Sequence, residues 1–139
     1  MAYWLLKTEP AHDYGYDDLE REGRTVWDGV KNNLALKHMR QVRKGDQALI
    51  YHSGKEKAAV AVADVVSDPY PDPNLDDDRF VVFDVAPLMR LHRAVTLKEV
   101  KADPAFADFA LVRMSRLSVM PVPAALWKRL SKMAERSAD

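Results

Sequence analysis

The amino-acid sequence predicts an α+β fold: a small curled sheet of mixed or antiparallel strands with helices packed around it. Three observations predict it. Runs rich in β-branched and aromatic residues follow one another across short connections at 47–52, 58–66 and 79–88. No strand-helix-strand alternation separates them, which argues against a doubly wound parallel sheet. Amphipathic helical patterns stand before and after this cluster instead of between its members. At 139 residues the chain has room for one domain, 1–139, with one modest core.

Each element has a local reason. Residues 3–7, YWLLK, form an apolar run that stops at Thr8-Glu9-Pro10, as a buried strand ending at proline does. Residues 16–22 predict a short helix closed by Gly23. Thr25-Val26-Trp27 is a short extended piece leading into a turn at Asp28-Gly29. From 32 to 42, Ala35, Met39 and Val42 share one helical face, while Asn33, Lys37, Arg40 and Lys44 lie on the other, and Gly45 ends the helix. The Pro- and Asp-rich stretch DPYPDPNLDDD reads as an exposed loop. Thr96 to Glu99 is a capping-box pattern, and Asp103-Pro104 opens another short helix. Residues 117–122 predict a last strand. Pro123 then starts a terminal helix with Leu126, Leu130 and Met133 inward and Lys128, Lys132 and Arg136 outward.

Composition excludes much chemistry. With 47% hydrophobic and 30% charged residues the chain resembles soluble globular domains. No apolar run is long enough to cross a bilayer, and MAYWLLKTEP lacks the features of a leader, so a cytoplasmic protein without a membrane partner is expected. Zero cysteines remove disulfides, thiolate metal sites and a cysteine nucleophile together. Phosphate-loop, dinucleotide-binding, hydrolase-elbow and zinc-helix motifs are all missing. The four histidines show no ligand spacing, and Asp76-Asp77-Asp78 is better read as a solvated loop than as a metal site, so neither metal nor cofactor is expected. Net charge is zero, yet residues 31–44 hold five basic residues and no acidic one, while 64–84 hold seven acidic residues against Arg79 alone.

The residues able to carry function sit at strand ends. Lys7-Thr8-Glu9 leaves the first strand, Trp27-Asp28-Gly29-Val30 makes a turn before the basic helix, and Tyr51-His52-Ser53-Gly54 ends another strand. A flat heteroaromatic ligand needs ring faces to stack on and donors and acceptors at its edge. Trp27 and Tyr51 offer faces; Glu9, Asp28, His52 and Ser53 offer an edge; the helix with Lys37, Arg40 and Lys44 offers charge for phosphates. The same residues admit plainer roles. Trp27 before a turn can be a core plug, one of Tyr51 and His52 must face inward, and the basic stripe can be a solvated helix face. Trp4 and Trp127 lie in apolar runs and are assigned to the core.

Several motifs in order give the chain a specific resemblance: YWLLKTEP, TVWDGVKN, GDQALIYHSG, DPYPDP, VTLKEVKADP and RLSVMPV, spread over nearly its whole length. In these it resembles the EVE domain proteins. The resemblance implies a PUA-like fold, a small mixed β-barrel flanked by helices, in the wider group that holds the YTH and ASCH domains. It implies non-catalytic binding of nucleic acid that carries a modified base, with modified cytosine in DNA first and modified RNA second. The resemblance places Trp27 in the base cage, Glu9 near its edge, Tyr51, His52 and Ser53 in a strand-end motif, and Leu117 and Ser118 in a late motif that closes another wall; Asp28 and Val30, from the turn beside Trp27, complete the expected base pocket. The expected phosphate contacts are Lys7, by its match to a backbone-contacting lysine, with Lys31, Lys37, Arg40, Lys44 and Arg116. Lys31 stands where many relatives carry arginine, which keeps the charge and loses the bidentate fork. Asn33 stands for a tyrosine, and FVVF at 80–83 stands where paired tryptophans are common, which implies a second cage wall that is weaker or supplied elsewhere. The competing reading is an enzyme acting on a nucleotide or base through Glu9, Asp28 and His52.

Overall fold

The computed structural model describes residues 1–135; the expected outward position of Arg136 lies outside them. Seven strands make the sheet: β1 (Tyr3–Thr8), β2 (Thr25–Trp27), β3 (Gln47–His52), β4 (Ala58–Val65), β5 (Tyr70–Pro71), β6 (Val81–Thr96) and β7 (Val119–Pro121). Among the described residues five helices accompany them: α1 (Tyr16–Glu22), α2 (Asn33–Met39), α3 (Leu97–Ala102), α4 (Ala110–Arg113) and α5 (Ala124–Glu135). A 3-10 turn, Pro104–Phe106, joins α3 to α4.

Strand order is β2-β6-β4-β3-β1-β7, with β5 added to β6. Only β1 with β3 is parallel, so the sheet is mixed. The interior strands β1, β3 and β4 are buried on both faces, which is why they read as continuous apolar runs and not as alternating ones. The sheet curls along β6. Opposite β4, the register jumps between Ala59 and Ala61 and again between Val62 and Ala63, so extra β6 residues are taken up as bulges that bend the strand. The ends of the path, β2 and β7, do not pair with each other; α2 packs against both β7 and β6, with Ala35, Leu36 and Met39 buried. The result is a barrel with a seam.

Three departures from the sequence expectation are physical. The strand expected at 79–88 begins at Val81 and continues to Thr96, because β6 keeps pairing β4 through its bulges. The acidic loop contributes β5, whose Tyr70 pairs Val82. The helix at 33–39 is shorter than the apolar pattern to Val42, which is buried beyond the helix end. Trp4 is core, whereas Trp127 is half-buried and stacks on Tyr3 at 4.3 Å.

Two polar devices hold the ends of the sheet. At one, the Asp46 carboxylate accepts from the Trp4 indole N–H, the Ala2 amide and the Arg43 amide, each at 2.9 Å. At the other, Glu99 completes the capping box of α3 by accepting from the Thr96 amide, and it also takes both arms of Arg93, at 2.9 and 2.8 Å. The Arg93 hydrogen bonds hold the Glu99 carboxyl at about 2, below its ordinary 4.5. A carboxylate depressed in the folded state stabilises the protein above its unfolded value and loses that contribution as pH falls. Glu99→Gln is therefore expected to lower the melting temperature above pH ~5, with the gap from wild type closing as the pH drops toward ~2. A gap that stays constant across that range would contradict the pairing.

Candidate nucleic-acid interface

A cleft of about 470 Å³ lies between the edge strand β2, with the turn after it, and the end of β1, with the segment just before β7. From β2 and the turn after it come Thr25, Val26, Trp27, Asp28, Gly29, Val30 and Lys31. Gly29 has φ +77°, a left-handed conformation that favours glycine, so the turn that presents Asp28 and Val30 depends on it. From the opposite side come Lys7 and Thr8, at the end of β1, and Ser118, just before β7. The Lys7 amide donates to the Ser118 carbonyl at 2.9 Å and ties those two together.

Trp27 lines the cleft while belonging to the hydrophobic core, with 7% of its surface exposed. Its backbone pairs Phe83 of β6, which is fully buried, and no residue of FVVF lines the cleft, so that segment adds no second ring there. The second ring is Tyr14, set edge-on to Trp27 at 6.5 Å and 89°. The Tyr14 hydroxyl donates to Glu22 at 2.5 Å; burial and that carboxylate push the phenol up to about 12, so it stays a neutral donor at pH 7. Asp13, Glu22 and Asp28 supply acceptors around the rim, and Lys7 and Lys31 supply donors. Burial lowers the Lys7 ammonium from its usual range.

Of the residues the sequence singled out, the cleft brings together Lys7, Trp27, Asp28, Val30, Lys31 and Ser118. The others lie elsewhere. Tyr51 and Ser53 line a separate cavity together with Lys7, whose Nζ is 5.7 Å from the centre of the Tyr51 ring. His52 is buried, its Nε2 accepting from the Tyr16 amide at 3.1 Å and its Nδ1 2.7 Å from Glu56 Oε1. With Nε2 an acceptor, the proton sits on Nδ1 and points to Glu56. His52 thus anchors the start of α1, the helix that carries Glu22 to the cleft. Glu9 accepts from the Ala11 amide at 3.1 Å and packs against Gly54, where a Cβ would fall 2.7 Å from its Oε1. Leu117 is buried and Arg116 lines a shallow depression with Asn32 and Leu34. Along α2 and beyond, the basic stripe divides. Lys37 is exposed, Arg40 donates to the Arg79 carbonyl at 2.7 Å, and the Lys44 amide donates to Asp68 at 2.9 Å.

Asp13, Tyr14 and Glu22 are the cleft residues that sequence reasoning passed over. Tyr14 sits between Pro10 and the first helix, and Glu22 in the last turn of that helix, places where no periodicity marks a ligand-facing side chain. Among the described residues no helix is long and apolar enough to cross a membrane.

The EVE domain family model matches residues 2–133. Thymocyte nuclear protein 1 of Rattus norvegicus is 27% identical over 153 residues, covering 86% of this chain and 68% of the rat protein. A Rhodopseudomonas palustris protein solved by NMR is 42% identical, with a TM-score of 0.90 over 96% of this chain and 93% of that one. Human THYN1, solved in complex with DNA containing 5-methylcytosine, superposes with a TM-score of 0.89 at 25% identity, covering 99% of both chains. The fold is PUA-like, as the resemblance implied.

Proposed function

The chain belongs to the EVE domain family, and from that premise we propose that it binds nucleic acid carrying a modified base, modified cytosine in DNA before modified RNA, without catalysing a reaction on it. The observation that carries this reading is Trp27 lining an open cleft with carboxylates and ammonium groups on its rim. An extruded base stacks on the indole and Tyr14 closes the side. A cytosine presents an exocyclic amine beside acceptors, and the rim answers with carboxylates for the amine and Lys7, Lys31 or Ser118 for the acceptors. The binding of 5-methylcytosine DNA by the human relative supports the same ligand class here.

The non-catalytic reading is supported by the separation of the three groups an enzyme would use. Asp28 is on the cleft, His52 is committed to α1 and Glu56, and Glu9 packs on Gly54.

Fluorescence anisotropy on single-stranded DNA and RNA, carrying either cytosine or 5-methylcytosine at one position, tests the proposal. DNA with 5-methylcytosine is expected to bind most tightly. A buried methyl contributes about 0.8 kcal/mol, so contact alone gives roughly fourfold over cytosine. A larger ratio points to a clash or an unpaired polar group against the unmodified base. Equal affinity for every oligonucleotide would overturn the reading of the cleft as a base reader.

A further inference from the structure

A second cavity of about 290 Å³ shares Lys7 with the base cleft in its lining. Its lining combines Lys7, Lys57 and Lys101 with Tyr51, Ser53 and an apolar floor that includes Leu97 and Leu111. It contains no carboxylate among the described residues; Glu9 touches Gly54 but is not part of the lining. Lys7 is half-buried and Lys57 and Lys101 are exposed, so three like charges share one lining that has no carboxylate of its own, and an anion there relieves their repulsion.

The placement of these lysines is built into the fold. Leu97 and Lys101 are four residues apart on α3 and so share one face of it. The Leu97 amide donates to the Lys57 carbonyl at 2.8 Å, which fixes the turn before β4 against the start of that helix. Lys57 has φ +48°, the only positive value among the described non-glycine residues. A long side chain held in that sparsely populated conformation, next to a cationic hollow, is costly unless the position does something. Lys7 is fixed from the other side, donating to the Ser115 carbonyl at 2.9 Å, and burial lowers its pKa.

We propose that this cavity is a phosphate subsite, where Lys7, Lys57 and Lys101 receive the backbone phosphodiester next to the base held in the cleft. The inference rests on the base-reading function, because Lys7 is a wall of both cavities and makes them neighbours on one strand. The apolar floor suits the adjoining sugar, and the position of Lys7 between base and phosphate makes it the residue that couples the two.

Lys57→Gly combined with Lys101→Ala tests it, since glycine is at ease at φ +48° and Lys101 is an exposed helix residue. Binding to single-stranded DNA with one 5-methylcytosine is measured over a range of salt. The double variant is expected to bind roughly three- to tenfold more weakly, with the slope of log affinity against log salt reduced by about 0.7 for each phosphate no longer neutralised. Lys98→Ala with Lys128→Ala, which removes the same charge from exposed positions elsewhere, is expected to leave affinity within twofold. Uncharged methylphosphonate linkages flanking the modified base should weaken wild type more than the double variant, which keeps only Lys7 of the three. If the double variant keeps wild-type affinity and salt slope, the subsite is refuted while base reading stands. If wild type shows no preference for the modified oligonucleotide, base reading fails and the subsite falls with it.

Discussion

Trp27→Ala is expected to weaken binding of 5-methylcytosine DNA by roughly fivefold to 150-fold, the range that loss of about 1–3 kcal/mol of base stacking implies. The same residue is only 7% exposed and packs between Phe83 and Tyr14, so its removal also opens a core void. Truncating a buried aromatic costs about 3–5 kcal/mol, and the variant should melt well below wild type. Trp27→Phe separates the two effects. It keeps a ring face at the cleft and most of the buried volume, and should retain more affinity than the alanine variant at a smaller cost in stability. Binding is compared by titration at a temperature where circular dichroism shows each variant folded. Wild-type affinity in a folded Trp27→Ala protein would mean that the base sits elsewhere.

An effect on stability of the same size is expected at Asp46, away from the cleft. Its carboxylate is 5% exposed and satisfies three donors from three separate places: the amide of Ala2, the indole of Trp4 and the amide of Arg43. Asp46→Ala leaves all three without an acceptor, and an unsatisfied buried donor costs about 1–3 kcal/mol. Water reaches the chain end near Ala2, so the sum is on the order of 3–5 kcal/mol, or a fall of about 10–20 °C in melting temperature. Asp46→Asn retains one acceptor but turns an amide N–H₂ toward donors, and should recover less than half of the loss. Thermal denaturation followed by circular dichroism decides it; a drop of only a few degrees for the alanine variant would show that the three hydrogen bonds are not cooperating as a strand clamp. Ligand affinity of the folded variant should be unchanged, which sets this effect apart from that of Trp27.

What could be read from the amino acids depended on whether the signal was local. β1, β3 and β4 were legible because strands buried on both faces are written as apolar runs, and the start of α3 was legible because a capping box is a four-residue pattern. The second half of β6 was not, since residues 88–94 mix Leu, Met, Arg and His without a period of two, and bulges against β4 break the alternation. At the cleft, the turn at Trp27-Asp28-Gly29 announced itself through its aromatic and its glycine. Tyr14 and Glu22 did not, because their place beside Trp27 is set by how α1 docks through Tyr16 and His52, a contact 36 residues apart in the chain. The strand-end motif at Tyr51 and His52 pointed to neighbouring chemistry without telling which side of Lys7 each ring would take.

The gap between β2 and β7 has a mechanical corollary. Two strand edges that share no ladder hydrogen bonds can move relative to each other when the short helix α2, packed on β7 and β6, is resized, and no pairing in the rest of the sheet has to break. Ala35, fully buried on that helix, is the position where added bulk would press on the neighbouring strands first.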